Sequence, residues 1–289
     1  MKIGVVFPQT EIGDDPGGVR EYAQAVERMG FSHILTFDHV IGANRASRPV
    51  WNRPYDLDSM FHEPLVLFGF IAGVTKSIGL VTGIVILPQR QTVLVAKQAA
   101  ALDVLSGGRL RLGVGIGWND VEYEALGMNF HNRGRRCEEQ IDVIRQLWTN
   151  RAISYEGKWH KISDAGIWPL PVQRPIPVWF GGMAEQVLDR VARIGDGWFP
   201  QFQPGEAAEK AVADLRASAQ KNGRDPSKIG IEGRMTLKLG TEGGWADTVK
   251  GWRRLGADYL SLNTMGDGLK GADQHLKRLE MYKARATTG

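Results

Sequence analysis

Hydrophobic positions along the chain fall into short runs separated by stretches with helical spacing. Lys2–Phe7 is an apolar run with β-branched residues, ended by Pro8. After a loop rich in Gly and Asp, Val19, Tyr22, Ala23, Val26 and Met29 recur at three- and four-residue intervals. This spacing predicts a helix over Val19–Met29, stopped by Gly30. His33–Phe37 then reads as a second strand. Further helices are predicted at Pro64–Val74, Val93–Leu105, Arg135–Trp148, Ala184–Ile194, Ala207–Asn222, Trp245–Leu255 and Gln274–Ala284. The strands between them fall at Ile78–Leu87, Leu110–Val114, Pro177–Phe180, Gly197–Phe199, Ile229–Leu239 and Tyr259–Asn263. Several are apolar throughout, as expected where both faces of a sheet are covered.

Eight strands, each followed by a helix, predict an α/β fold of the (β/α)8 TIM-barrel type rather than a doubly wound sheet. No linker divides the chain, so residues 1–289 read as one domain. Two segments depart from the repeat. Gly42–His62, after the second strand, is long and polar, with Trp51 and Tyr55. Asn150–Arg174, between the fourth and fifth strands, contains a hairpin pattern at Ser154–Ile162 and runs into an extended connector, Trp168–Pro177. Insertions of this length serve as lids or interface elements, or are simply tolerated.

Composition narrows the function. The 36 basic and 32 acidic residues leave a net charge of +4, and the tight cluster Arg133–Arg136 is followed at once by Glu138 and Glu139. That reads as a helix start of mixed charge, not a nucleic-acid surface. Apolar runs such as Leu65–Val74 and Ile84–Leu87 fall short of the roughly 20 residues of a membrane span. The opening MKIGVVFPQT has no secretory signal pattern, and the single cysteine, Cys137, allows no internal disulfide. A cytoplasmic enzyme acting on a small molecule is the expectation, with no nucleic-acid or membrane partner.

In such a barrel the active site lies at the C-terminal ends of the strands. Those ends place Phe7–Gln9, Asp38–His39, Thr82–Leu87, Gly113–Asn119, Gly181–Gly182, Phe199–Gln201 and Asn263–Thr264 around one mouth. Gly113–Asp120 (GVGIGWND) lacks the third glycine of a dinucleotide fingerprint at the required spacing. Its glycines let the strand pass close to another body, whether protein or a flat ring. Gly181–Gly182 leads straight into a helix, which makes either a tight turn or an anion site of free amides. The chain has no HExxH, GxSxG or P-loop motif, and its histidines show no ligand spacing, so no metal site is expected. Trp51, Trp118, Trp159, Trp168 and Trp198 fall on loops or strand ends, where they line a pocket or pack beneath the loops.

Three stretches together resemble the luciferase-like flavin and deazaflavin oxidoreductases: GFSHILTFDHV (30–40), AKQAAALDVLSGGRLRLGVGIGWNDVEYEALG (96–127) and PVWFGGMAEQVLDRVARIGDGWFP (177–200). The likeness covers nearly the whole chain and implies a barrel that is often a homodimer. It implies hydride transfer with the deazaflavin coenzyme F420. The alternatives are an FMN-dependent monooxygenase using oxygen and, from another class, a non-catalytic barrel. By this resemblance Asp38 and His39 are the catalytic pair, with His39 carrying the proton and Asp38 orienting the imidazole or touching the ring edge. An imidazole suits proton transfer near neutral pH. Thr82, Gly83 and Ile84 would back the ring, with a cis peptide bond between Gly83 and Ile84, and Asn119 would touch its polar edge. Gly181, Gly182, Phe199, Pro200 and Gln201 would hold the phosphate end. The sugar-phosphate dehydrogenases of this family carry a Glu where this chain has Ile116–Gly117, which argues against their substrate.

Overall fold

The computed structural model describes residues 1–286, along which strands and helices alternate. The first half runs β1 (Lys2–Val6), α1 (Pro16–Arg28), β2 (His33–Thr36), α2 (Pro64–Val74), β3 (Gly79–Thr82), β4 (Val85–Ile86), α3 (Thr92–Ser106), β5 (Leu110–Gly115), α4 (Asp120–Ala125) and α5 (Arg133–Thr149). A hairpin, β6 (Ile153–Glu156) and β7 (Lys161–Ala165), leads into β8 (Val178–Gly181), α6 (Glu185–Ile194), β9 (Gly197–Phe199) and α7 (Glu206–Lys221). The chain closes with β10 (Gly230–Thr236), α8 (Trp245–Arg254), β11 (Tyr259–Asn263) and α9 (Gly271–Ala286).

Parallel pairings run β3–β2–β1–β11–β10–β9–β8–β5, and a further pairing of β3 with β5 closes the ring. This is the (β/α)8 barrel expected from the alternation. One stave differs from its predicted form. Ile78–Leu87 reads as one strand, but β3 stops at Thr82 and β4 resumes at Val85, after a cis peptide bond between Gly83 and Ile84. Beyond the break β4 pairs with β5 through Val85 and Ile86, and the Ile86 amide donates to the Asp38 carboxylate at 2.9 Å. The short helix α4 is absent from the predicted pattern, because six residues rich in Asp and Glu carry too little apolar periodicity.

Local chemistry explains the element ends. Asp15 caps α1 by accepting from the Gly17 and Gly18 amides, with Pro16 at the first helical position. α3 ends at Gly107, whose φ of 71° suits glycine. Strand alternation then sorts the core into two bodies. Val5, Ile34, Leu80 and Leu112 point outward against the helices, while Val6, Leu35, Val81, Trp179 and Phe199 fill the barrel. Among the latter sits an ionic cluster. Arg111 pairs with Glu232, the Glu232 carboxylate lies 2.8 Å from His33 Nε2, and the Arg111 guanidinium stacks 4.2 Å from Trp179 and 4.1 Å from Tyr259. Burial would raise the Glu232 carboxyl, but Arg111 and His33 hold it down at about 2. No helix among the described residues is long and apolar enough to cross a membrane.

Candidate active site

β2 delivers Asp38 and His39 to the C-terminal mouth of the barrel, where their roles separate. Asp38 is buried, and both its carboxylate oxygens are engaged: one accepts from the Ile86 amide at 2.9 Å, the other from Arg90 Nη2 at 2.8 Å. Arg90 reaches on to Glu63 at 2.7 Å, so one guanidinium ties the end of β2 to the start of α2. Burial pushes the Asp38 carboxyl up, against the pull of Arg90. Asp38 is thus a fastener beneath the site.

His39 is held by a different carboxylate. Its Nδ1 lies 2.9 Å from Glu122 Oε1, which also accepts from the Val40 amide at 3.0 Å, while Oε2 accepts from Gln89 Nε2 at 3.1 Å. Glu122 is fully buried on α4. Burial alone would raise its carboxyl, yet the bonds from His39, Gln89 and Val40 hold it below the usual range. An ionised carboxylate only accepts, so Nδ1 carries the hydrogen and Nε2 is left without a protein partner among the described residues. This corrects the expectation that Asp38 orients the imidazole. Tyr55, Phe61 and Trp118 surround the ring at centroid distances of 4.7, 4.9 and 5.5 Å.

A cleft of about 580 Å³ opens over these residues. Of the predicted site residues, Asp38, His39, Gly83, Ile84, Gly181, Gly182, Phe199 and Gln201 line it. Three others do not. Thr82 is buried, and its hydroxyl donates to the Gly113 carbonyl at 2.7 Å and accepts from the Gly113 amide at 2.8 Å, joining β3 to β5. Asn119 caps α4 by accepting from the Val121 amide at 3.2 Å, and it lines a neighbouring cavity of about 330 Å³ with Tyr55 and Phe61. Pro200 is buried and does not line the cleft. The glycine loop after the fourth strand is now explained. A Cβ on Gly113 would lie 1.9 Å from the Thr82 carbonyl oxygen, and one on Gly115 would lie 2.5 Å from the Ile84 side chain. The body these glycines admit is the broken stave, which forms the floor of the cleft.

At the far wall, Gly181–Gly182 leads into α6, whose first turn carries no side-chain cap at Ala184. Uncapped amides with the positive end of the helix dipole can receive an anionic group. Arg234, from the middle of β10, also reaches the cleft and donates to Gln201 at 3.0 Å. Burial pushes its guanidinium down, opposed by the nearby Tyr55 hydroxyl. Sequence reasoning missed Glu122, Arg90 and Arg234. The last had a signal, an arginine two residues after Glu232 on the strand Ile229–Leu239, so that both charges fall on the same face.

The tryptophans divide. Trp118 lines the cleft and Trp51 packs on it at 6.2 Å, whereas Trp159 and Trp168 line a separate groove of about 840 Å³ beside the β6–β7 hairpin. Trp198 is buried. Among the described residues no group of three or more His, Cys, Asp or Glu side chains is placed to hold a metal ion.

Known proteins share this architecture. The F420-dependent hydroxymycolic acid dehydrogenase of Mycobacterium tuberculosis is 30% identical over 254 residues, covering 87% of this chain and 66% of the relative. The FMNH2-dependent dimethylsulfone monooxygenase of Pseudomonas putida is 31% identical over 216 residues, covering 73% of this chain and 56% of the relative. The crystal structure of a monooxygenase from Streptomyces bottropensis superposes with a TM-score of 0.78 at 19% identity, over 100% of this chain and 99% of that one, which speaks for the fold. Residues 1–240 match the sequence profile of the luciferase-like monooxygenases. The chain therefore belongs to the luciferase-like monooxygenase family, whose members include F420-dependent and FMN-dependent oxidoreductases.

Proposed function

We propose that the protein is a hydride-transfer oxidoreductase that uses coenzyme F420 on a small organic substrate bound in the cleft. The observation that carries this reading is His39, whose Nδ1 is committed to Glu122 while Nε2 is left for chemistry in a mostly apolar, glycine-floored cleft. The residues present suit a flat, phosphorylated cofactor. The floor at Gly83, Ile84 and Gly115 presents backbone and one aliphatic side chain, and the uncapped start of α6 beside Gly181 and Gly182 suits a phosphate. Phe199 adds an apolar wall.

When bound, the deazaflavin supplies the carbon that gives or takes the hydride. The chain's own residues do the rest. His39 holds the accompanying proton at Nε2, and Glu122 steadies the imidazolium through Nδ1. Asp38 fixes the Ile86 amide and with it the floor around Ile84. Thr82 locks β3 to β5 beneath that floor. Asn119 serves by starting α4, the helix that carries Glu122. Tyr55, Phe61 and Trp118 keep water from the imidazole.

The likeness to the F420-dependent dehydrogenase supports this cofactor. The likeness to the FMNH2-dependent monooxygenase supports a second reading, oxygen activation on reduced FMN. Titration of the purified protein with each cofactor separates them. F420 is expected to bind at least about tenfold more tightly than FMN, a gap of about 1.4 kcal/mol. The reverse order together with oxygen uptake supports the monooxygenase, and binding of neither cofactor overturns both. The working unit is a homodimer: the adjacent helices α2 and α3 expose Val66 (70%) and Leu105 (77%), together with Val93, Leu94 and Val104. Sedimentation velocity measures this directly.

A further inference from the structure

Among the carboxylate, imidazole and guanidinium side chains that line the cleft, all but one have an ionic partner. Asp38 is matched by Arg90, which is matched in turn by Glu63, and His39 is matched by Glu122. Arg234 has no carboxylate partner among the described residues. Its guanidinium meets the neutral Gln201 amide oxygen at 3.0 Å and lies 5.5 Å from the Phe37 ring. It is half-buried, and burial disfavours its charge, so the position is electrostatically incomplete.

Its neighbours define what would complete it. Arg234 is close enough to Tyr55 to act on the phenol electrostatically, and the Tyr55 ring is 4.7 Å from the His39 imidazole. One aromatic ring therefore separates the guanidinium from the proton carrier. Gln201 accepts from Arg234 through Oε1, which leaves its Nε2 amide group as a further donor at the same spot. A single guanidinium with one amide matches a planar monoanion, which it can grip through two parallel N–H bonds. A dianionic phosphate would call for a second buried cation, and the other guanidinium nearby, Arg53 at 5.4 Å from the Trp118 ring, is exposed. The rest of the wall here, Phe37, Tyr55 and Trp118, is aromatic.

We infer that Arg234 and Gln201 form the anchoring subsite for the carboxylate of an organic acid substrate with an apolar body, whose reacting atom then lies toward His39. This rests on the oxidoreductase reading for the meaning of the anchor, but the binding itself can be measured separately. Hexanoate, hexan-1-ol and hexyl phosphate serve as probes, titrated by calorimetry into wild-type protein, Arg234→Gln and Arg234→Lys. F420 affinity is measured in parallel on the same preparations.

Hexanoate should bind the wild type at least about tenfold more tightly than either other probe. Arg234→Gln should abolish that preference, Arg234→Lys should keep part of it, and F420 affinity should change by less than about threefold in both variants. Equal binding of hexanoate and hexan-1-ol to the wild type would overturn the inference. So would tighter binding of hexyl phosphate, or a loss of F420 affinity in Arg234→Gln as large as the loss for hexanoate, since the guanidinium would then serve the cofactor. Failure of the wild type to bind F420, with the hexanoate preference intact, sinks the cofactor assignment alone and supports the carboxylate anchor.

Discussion

Glu122→Ala should reverse the tautomer of His39. In the wild type the buried Glu122 is an ionised acceptor, so the 2.9 Å contact requires the hydrogen on Nδ1. A hydrogen bond to a charged partner contributes about 1.5–3 kcal/mol, which at about 1.4 kcal/mol per decade biases the Nδ1–H form by roughly 10- to 140-fold. Glu122→Gln offers a finer perturbation. Its amide oxygen can still accept from Nδ1 and from the Val40 amide, while its NH2 meets Gln89, whose own Oε1 has no partner and can turn to accept. The bond to His39 is then neutral and contributes about 0.5–1.5 kcal/mol, a bias of roughly 2- to 12-fold. Alanine removes the bond and strands one buried donor, Gln89 Nε2, at about 1–3 kcal/mol, while the amide of the exposed Val40 is left to solvent. Long-range nitrogen–proton correlation spectra of protein labelled at histidine, recorded above the imidazole titration range, read the tautomer without substrate or cofactor. Wild type and Glu122→Gln should show Nδ1–H, and Glu122→Ala should show Nε2–H with a lower melting temperature. A wild-type spectrum with the hydrogen on Nε2, or an unchanged tautomer in Glu122→Ala, refutes the assignment.

Three further outcomes are expected. His39→Ala should lower turnover by about 10²- to 10⁴-fold while changing cofactor affinity by less than about threefold; single-turnover rates at saturating cofactor measure the first, and an unchanged rate removes His39 from the chemistry. Arg90→Met leaves the Asp38 carboxylate buried beside Glu63 with no cation, so urea unfolding should show a loss of about 3–5 kcal/mol. Adding Asp38→Asn should recover part of that loss, and a deficit under about 1 kcal/mol would contradict the clamp. Glu232 sets an acid limb. Its carboxyl is lowered from 4.5 to about 2 in the fold, so it contributes stability that is fully present above pH 4.5 and is lost as pH falls toward 2. The shift corresponds to about 3 kcal/mol, and urea midpoints between neutral pH and pH 3 should fall less steeply in Glu232→Gln than in the wild type.

Much of the architecture was legible because a barrel repeats one simple pattern. Apolar runs such as Ile34–Leu35 and Pro177–Phe180, each followed by a helical stretch, suffice to count eight staves and to bring Asp38–His39 to the mouth. What stayed hidden depends on pairing across long separations. Glu122 meets His39 across 83 positions and Arg90 meets Asp38 across 52, and neither spacing leaves a trace in local periodicity. Asn119 and Thr82 were placed at the ring by the family resemblance. Their short polar side chains instead satisfy backbone groups at close quarters, Asn119 at the start of α4 and Thr82 between β3 and β5. The broken stave shows the same limit: Val81–Leu87 is apolar enough for a continuous strand, and the carboxylate that takes up the Ile86 amide lies 48 positions away.

The insertion after β2 has an unusual division of labour in its bonding. Its polar bonds are mostly internal: Leu57 to Ala43, Trp51 to Arg48 and Tyr55, Ser59 with Asp56, and an ion pair between Arg45 and Asp56. Toward the site it offers mainly rings, with Tyr55 and Phe61 on His39 and Trp51 on Trp118. Such a segment behaves as a cassette. Aromatic contacts are forgiving of small changes in shape, so a differently sequenced loop that brings two or three rings to the same place could replace it without disturbing the hydrogen bonds that hold Glu122, Arg90 and Asp38. New substrate preferences would then arise by exchange of one surface loop, while the proton-handling apparatus beneath it is inherited intact.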